Sequence, residues 1–308
     1  MRVDLEPGKY VIAVSGGVDS MVLLDILAKQ AKSQELKAKS RGYQLSANSC
    51  QLVVAHFNHG IRKDSNQDEE LVRQSARKYS LSCEVGYGNL GKDASEETAR
   101  QARYAFLEKI KKQYNADAII TAHHQDDLIE TAFLNILRGT GRLGLSSIRS
   151  RRIVRPLLHI PKRQILNYAK KKKLNWREDQ SNVNTNYLRN YLRVHIIPKL
   201  TAERRTQILQ HLDEVAKINQ IIDKEIAIIS QKVIDGGMDR KKFALLPTEV
   251  GEEVLMDWLR RRGLAQFDRT TVKRVGTAIK TARPHTVQPI YGGWQLQIGR
   301  RKATLKHL

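Results

Sequence analysis

The stretch YVIAVSGGVDSMVLLDIL, residues Tyr10–Leu27, contains the features that decide the fold. Its apolar run, Val11–Val14, is typical of a buried strand and passes into a Ser-Gly-Gly turn, and a helical pattern follows over Asp19–Gln30. Backbone N–H groups converge at a turn from strand to helix, and the helix dipole favours an anion there. The stretch therefore predicts an anion-binding turn after the first strand.

The turn itself combines glycines, serines and one acid. Gly16 and Gly17 can adopt positive φ and let a phosphate approach the backbone, while Ser15 and Ser20 add hydroxyl donors. Asp19 would repel phosphates, so it is expected either to bind Mg²⁺ or to cap the helix. The turn lacks the Lys-Ser/Thr pair of a Walker A loop and the GxGxxG spacing of a dinucleotide fold.

Apolar strands and helical patterns alternate after this turn. The predicted strands are Gln51–Phe57, Leu81–Tyr87 and Ala116–Ala122. The predicted helices are Ser65–Ser80, Ser95–Tyr114 and Asp126–Arg138. The segment Lys32–Ser49 is expected to be a helix end and a surface loop. This alternation predicts an α/β fold, a parallel sheet with helices on both faces, whose ligands bind beyond the carboxyl ends of the strands.

Three parts are expected along the chain. They are a Rossmann-like catalytic domain over 1–190, a helical linker over 191–235, and a smaller, mainly helical α+β domain over 236–308. The long helical pattern Arg204–Ile234 supports the linker, and Gly292 with Gly293 predicts the turn of a terminal hairpin.

Charge indicates a polyanionic partner. The net charge is +22, and the segment Arg138–Arg177 holds 13 Lys and Arg residues but no Asp or Glu. A solvated face and membrane headgroups are weaker explanations, because forty residues lack an acid and no basic amphipathic anchor accompanies them.

No apolar run is long enough to span a bilayer, and the amino terminus does not resemble a signal peptide, so a cytoplasmic location is expected. The sequence allows a homodimer but does not set the oligomeric state.

A second polar constellation follows the predicted strand Ala116–Ala122. On helical spacing, His123 shares one face with Asp126, Asp127 and Glu130, at i, i+3, i+4 and i+7. Such a face could bind a metal ion or an ammonium group. Alternatively, Asp126 caps the helix and Glu130 is solvated.

These motifs resemble a known family. SGGVDS resembles the phosphate loop of PP-loop ATP pyrophosphatases, which cleave ATP between its α- and β-phosphates. HFNHGIR, ETARQARYAFL, TAHHQDDLIETAFLNILRGTGRLGL, RPLL and NYLRNYLRVHIIPKL follow in the order typical of tRNA(Ile)-lysidine synthetases. The resemblance covers roughly residues 10–200, and the part after them matches less well.

The resemblance implies a defined reaction. Such enzymes use ATP to adenylylate the C2 oxygen of the wobble cytidine in the CAU anticodon of tRNA(Ile), releasing diphosphate. The ε-amine of free L-lysine then attacks C2 and AMP leaves. The product, lysidine, pairs with A, and the identity of the tRNA changes from methionine to isoleucine.

The resemblance also implies site residues. ATP is expected at the turn and at the strand end near Ala55–Asn58, with Mg²⁺ on Asp19; the nucleotide-binding set is Ala13, Ser15, Gly16, Gly17, Val18, Asp19, Ser20 and His56. The expected catalytic residues are Asp19, Arg100, Asp127 and Glu130. The expected substrate-binding residues are Arg103, Asp126, Arg138, Gly139, Arg189, Asn190 and Arg193.

Some roles stay open within this scheme. Asp127 and Glu130 are expected to hold or deprotonate lysine, with Asp126 as the alternative. Arg100 and Arg103 bind phosphate or the adenylylated intermediate, or else they pair with Glu96 and Glu97 on a surface helix.

Three other functions are compatible with the loop alone. A tRNA thiolase that uses an iron–sulfur cluster needs a CxxC motif and further cysteines, whereas this chain has only Cys50 and Cys83. A small-molecule amide synthetase such as NAD synthetase would not need a charge of +22. A nucleic-acid-binding protein with an inactive nucleotide fold would not need Asp19, Asp127 and Glu130.

Overall fold

A computed structural model describes residues 1–40, 50–60, 65–88, 96–145, 153–177, 188–264 and 267–307, apart from the side chains at 35, 37–40 and 96. The chain forms two compact units, Met1–Val215 and Ala216–Leu308. The division falls inside one long helix, so the three-part division predicted from the sequence stays a proposal.

The first unit alternates strands and helices over most of its length. Its elements are β1 Gly8–Ala13, α1 Val18–Ser40, β2 Cys50–Asn58, α2 Ser65–Lys78, β3 Ser82–Tyr87, α3 Glu96–Gln113, β4 Ala118–Ile120, α4 Gln125–Leu137, α5 Arg142–Leu145, β5 Ile153–Val154, α6 Lys162–Lys171 and α7 Leu188–Tyr191. A π-helical turn, Leu192–Ile196, and a 3₁₀ turn, Ile197–Lys199, lead into α8, Ala202–Val233.

The strands of the first unit form one parallel sheet in the order β3-β2-β1-β4-β5. The chain therefore extends the sheet on one side of β1 through β2 and β3, then returns to the other side of β1 for β4. Connections leave β1 and β4 in opposite directions, which opens a crevice at the carboxyl ends of these two strands; this place is here called the switch point of the sheet. This topology places the turn after β1 beside the segment after β4.

Apolar side chains cover both faces of this sheet. On one face α1, α2 and α6 pack over β1 and β2 through Leu23, Val72 and Ile165, all buried. On the other face α3 packs over the sheet through Leu107 and Ile110. The strands are apolar on both sides because both sides are covered.

The second unit is a small α+β structure. After α8 its elements are β6 Met238–Asp239, α9 Arg240–Ala244, α10 Thr248–Arg261, α11 Arg269–Thr281, β7 Val287–Pro289, β8 Trp294–Ile298 and β9 Lys302–His307. The strands form an antiparallel sheet in the order β6-β9-β8-β7. Phe243, Trp258 and Ile279 form its core with Leu296 and Ala303 of the sheet.

The fold class predicted from the sequence is confirmed. The predicted hairpin turn is present, since Gly292 and Gly293 both have positive φ between β7 and β8. Helix α1 continues to Ser40, and the rest of the predicted loop, 41–49, lies outside the described residues. In the described parts of the chain, no helix is both long and apolar enough to cross a bilayer.

Candidate active site

The turn between β1 and α1, Ser15–Ser20, is here called the phosphate loop. Ser20 Oγ donates to the Gly17 carbonyl oxygen at 2.9 Å and accepts from the Ser15 backbone N–H at 3.1 Å. The Gly17 N–H donates to Ser15 Oγ at 3.3 Å. Both hydroxyls thus shape the loop, whereas the sequence suggested them only as donors to phosphate.

Glycine is required at one position of this loop. Gly16 has φ +92°, and a Cβ built there would lie 3.4 Å from Cβ of Asp68. A side chain would fit beside Asp68 but would be strained by this positive φ. The loop curls at the N-terminus of α1 between Ala13, the last residue of β1, and Val18, the first of the helix, which is a geometry that binds phosphate.

Asp19, in the first turn of α1, is paired with a lysine that the sequence analysis missed. Nζ of Lys162, the first residue of α6, donates to both carboxylate oxygens of Asp19 at 2.7 Å. Both side chains are about one-third exposed. The two residues are 143 positions apart, so no local pattern could have joined them. The available signal was the basic, acid-free segment that contains Lys162.

The residues around Asp19 fit a magnesium ion held together with a nucleotide. Mg²⁺ is commonly bound by one or two carboxylates plus substrate phosphates, and Asp19 is one such carboxylate beside the phosphate loop. Within the described ranges, no group of three or more His, Cys, Asp or Glu side chains is arranged to hold a metal by itself. The magnesium role of Asp19 therefore stays a prediction, and it requires Lys162 to share or release the carboxylate.

Helix α4 begins with a capping box at the other side of the crevice. His124 is the N-cap, and its Nδ1 accepts from the backbone N–H of Asp126 at 3.2 Å. In return, Oδ2 of Asp127 accepts from the His124 backbone N–H at 2.9 Å. His123 therefore precedes the helix, so the prediction that it shares a helix face with the acids is wrong. Asp126 is also not the cap.

Asp127 and Glu130 lie against two arginines of the segment that runs from α7 into the π-helical turn. The Arg193 guanidinium contacts Asp127 Oδ1 at 3.2 Å and Glu130 Oε2 at 2.5 Å. Arg189 Nε lies 2.7 Å from Glu130 Oε1, and the Glu130 side chain is only 3% exposed. These four predicted site residues therefore meet in one cluster.

Burial and charge act differently on the two carboxyl groups. Burial raises the pKa of Glu130 above its ordinary value, although Arg193 and Arg189 oppose the shift. Burial also acts to raise the pKa of Asp127, but the neighbouring imidazoles of His124 and His123 and the Arg193 guanidinium outweigh it and lower the pKa. Asp127 is thus the more strongly ionised carboxylate of the two.

Asp126 has a separate partner. Arg205 of α8 donates from Nη1 to Asp126 Oδ1 at 2.5 Å and from Nη2 to the Ile197 carbonyl oxygen at 2.6 Å. Arg205 was also missed by the sequence analysis. Each of the acids at this edge thus faces a cation from the chain between residues 162 and 205; the acids are Asp19, Asp126, Asp127 and Glu130.

Arg100 and Arg103 lie close to an aromatic ring of α3. Their guanidinium carbons lie 5.1 and 5.5 Å from the ring centroid of Tyr104. With Arg155 they lie close enough to His123 to depress its pKa, which burial chiefly lowers to about 4. His123 is therefore neutral at pH 7. Arg155, part of the RPLL motif, joins the predicted pair and makes this region strongly cationic.

The predicted alternative partners of these arginines on their own helix are Glu96 and Glu97. Glu97 accepts from Gln101 at 3.2 Å. The side chain of Glu96 lies outside the described set.

His56 lies at the carboxyl end of β2, beside the phosphate loop. Its side chain is buried, and Nδ1 is 2.8 Å from the Val14 carbonyl oxygen, so Nδ1 carries the proton. Burial lowers the pKa of His56, so the ring is neutral and Nε2 is an acceptor. Among the described residues Nε2 has no hydrogen-bond partner.

Two predicted substrate-binding residues lie away from this crevice. Arg138 is the C-cap of α4, and Gly139 follows it with φ +62°. At about 1.5 Å per residue, Arg138 is about 17 Å along the helix from the acids of its first turn, Asp126 and Asp127. Arg138 and Gly139 are both exposed there. Asn190 lies on α7 next to Arg189, near the acids.

Comparison with known proteins identifies a family. The family model described as a PP-loop domain matches residues 2–200. A tRNA(Ile)-lysidine synthase of Thermotoga maritima is 37% identical over 203 residues, which are 63% of this chain and 46% of that protein. One from Bacteroides thetaiotaomicron is 35% identical over 262 residues, 82% of this chain and 55% of that protein.

Similarity to solved structures is weaker. A U34-tRNA thiolase of Methanococcus maripaludis superposes with a TM-score of 0.43 at 16% identity, over 69% of this chain and 68% of that chain. The chain spans about half the length of the two curated relatives described above. Because the family model covers well over half of the residues, the chain belongs to the PP-loop domain family.

Proposed function

We propose that this protein ligates free L-lysine to C2 of the wobble cytidine in CAU-anticodon tRNA(Ile). ATP adenylylates the cytidine with release of diphosphate, and the lysine ε-amine then displaces AMP to give lysidine. The proposal rests on one observation: the phosphate loop after β1 meets a cation-binding group of carboxylates after β4 at the switch point of the sheet.

The phosphate loop supports the ATP step. Its glycine at φ +92° and the N-terminus of α1 provide a cradle for the phosphates of the nucleotide. In-line attack at the α-phosphate requires charge neutralisation on the leaving diphosphate, for which Lys162 and a Mg²⁺ held by Asp19 are suited. Nε2 of His56 is a hydrogen-bond acceptor beside the phosphate loop. It is therefore suited to accept a hydrogen bond from the amino group of the adenine of ATP.

The carboxylates of α4 support lysine as the amine. Asp127 and Glu130 already bind a guanidinium group, so their oxygens can hold a cation at hydrogen-bond distance. An incoming ε-ammonium group would compete with Arg193 for the oxygens of Asp127 and Glu130, which are here called the amine site. Its proton must leave before attack, and Glu130, whose pKa is raised, is the better suited acceptor.

Charge supports a tRNA substrate. A net charge of +22 favours salt-sensitive contacts to phosphates. Arg138 and Gly139 form an exposed basic turn well away from the acids, as a macromolecular substrate requires. An unpaired anticodon base can be splayed into a pocket, where the Arg100–Arg103–Arg155 region would face its phosphates.

The positions of the two cysteines argue against an iron–sulfur thiolase. Cys50 is the first residue of β2, and Cys83 is the second residue of β3. Both lie at the amino ends of parallel strands, opposite to the edge that carries the phosphate loop. Neither cysteine is placed for chemistry at that edge.

Incubation with radiolabelled lysine, ATP and unmodified tRNA(Ile) tests the proposal. We expect label in the tRNA, with AMP and diphosphate formed in equal amounts, and no label without ATP or with a tRNA whose wobble cytidine is replaced. Absence of label from protein that is folded and binds ATP would refute the assignment.

A further inference from the structure

We propose that His124 is a positioning residue for this reaction, holding Asp19 of the phosphate loop and Asp127 of the amine site in register. The inference rests on the proposed function. His124 was not among the residues expected from the sequence, and its side chain is only 9% exposed. Its Nε2 lies 3.6 Å from Oδ1 of Asp19 and 3.5 Å from Oδ2 of Asp127.

The hydrogen bonds of His124 determine where its proton lies. Nδ1 accepts from the backbone N–H of Asp126, so Nδ1 carries no proton. The ring proton is therefore on Nε2, which is the atom that faces the two carboxylates. The helix cap thus selects the tautomer that directs an N–H donor into the crevice.

One donor between two carboxylates has a physical consequence. Asp19 and Asp127 carry like charges, which repel each other unless a donor or a cation lies between them. Lys162 neutralises Asp19 from α6, and Arg193 neutralises Asp127 from the π-helical turn. The His124 ring lies within 3.6 Å of both carboxylates. Both distances exceed those of a formed hydrogen bond, so the Nε2–H faces both carboxylates and is committed to neither.

The link through His124 matters because the two carboxylates follow different strands, β1 and β4. The phosphate loop follows β1, whereas α4 follows β4, and no covalent element joins them locally. Transfer of an adenylyl group and attack by an amine must take place at one substrate base. A displacement of about 1 Å between the two halves can lower a rate about 100-fold.

Two amide substitutions separate the positioning role from the capping role. His124→Asn keeps a good N-cap acceptor but stops short of the carboxylates. His124→Gln keeps a donor near the position of Nε2 but is a poor cap. The measurements are thermal unfolding, tRNA-dependent diphosphate release without lysine, and incorporation of labelled lysine, with kcat and KM determined for ATP and for lysine.

We expect His124→Asn to melt near the wild type yet lose at least about tenfold in kcat in both steps, with smaller changes in KM. His124→Gln should melt lower and keep the larger share of kcat. The opposite ranking, an active Asn variant and an impaired Gln variant, would reduce His124 to a helix cap and overturn the inference. His124→Ser, another capping residue, repeats the comparison if the Asn variant does not fold.

Failure of the proposed function gives a different result. If the wild type incorporates no lysine, the reaction assignment is wrong. If the wild type is active and the Asn variant matches it, only the role of His124 is wrong.

Discussion

Asp126 and Asp127 are adjacent in the sequence but have different partners in the structure. Asp127 accepts from the His124 backbone and faces Arg193, which also binds Glu130. Asp126 instead holds Arg205, which is anchored to the Ile197 carbonyl oxygen. Asp127 thus belongs to the proposed amine site. Asp126 instead anchors the first turn of α8 through its ion pair with Arg205.

Substitution of these neighbours should separate their roles. We expect Asp127→Asn to lower incorporation of labelled lysine about 100-fold and to change ATP binding much less, because the charge that holds the amine is removed. The matched control, Asp126→Asn, should lower incorporation of labelled lysine by less than about tenfold. Equal loss of ATP binding and lysine transfer in Asp127→Asn would favour a metal role for Asp127.

At the scale of elements, a buried carboxylate joins α1 to α6 and to the end of α2. Asp25 is 1% exposed and accepts from Tyr79 Oη at 2.5 Å, Tyr168 Oη at 2.7 Å and Lys29 Nζ at 2.9 Å. Since α6 also carries Lys162, this network fixes the helix that supplies the cation at Asp19.

The stability contributed by Asp25 should depend on pH. Burial acts to raise its pKa, but the hydrogen bonds from Lys29, Tyr79 and Tyr168 outweigh burial, so the folded pKa lies below the ordinary value. A lowered carboxyl pKa contributes stability above the unfolded pKa of about 3.9, and this stability disappears as the pH falls through the folded pKa.

We therefore expect Asp25→Asn to lower the free energy of unfolding by about 2 kcal/mol at pH 7. The difference from the wild type should shrink as the pH falls below about 4. Urea unfolding at pH 7 and at about pH 3 measures both values, with Tyr168→Phe as a control that removes one donor. A difference that is the same at both pH values would contradict the assigned role of the charge.

At the scale of the whole molecule, positive charge extends into the second unit. Arg260, Arg261 and Arg262 are exposed at the C-terminal end of α10. Arg261 is paired with Asp257 at 2.9 Å, and the Arg260 guanidinium lies 5.5 Å from the Phe267 ring centroid. Arg260 and Arg262 flank Arg261 at this exposed, basic helix end, and they are the two residues chosen for the test.

Neutralising two of these arginines should weaken tRNA binding. For Arg260→Gln combined with Arg262→Gln, the slope of log affinity against log salt should decrease by up to about 2, which is about one for each arginine that binds a phosphate. Filter binding at several salt concentrations measures the slope, and Lys241→Gln on α9 controls for removal of charge elsewhere in this unit. An unchanged slope would place the phosphate-binding residues elsewhere.

The elements and the phosphate loop were predictable from the sequence because their signals are local. Apolar runs and helical periodicity predicted the parallel sheet, and the glycines and serines between Val14 and Met21 predicted the turn. Family motifs predicted Asp127, Glu130, Arg189 and Arg193 as site residues. None of these signals specifies which charged groups face one another.

The sequence by itself thus determined the fold class, the phosphate loop and the kinds of residue at the site. Only the tertiary structure decided that Lys162 neutralises Asp19, that Arg205 holds Asp126 and that His124 lies between the two halves. The physical reason is sheet order: β4 pairs with β1 although β2 and β3 lie between them in the chain. Charge pairing across that switch point depends on distances in space, which helical and strand periodicities do not encode.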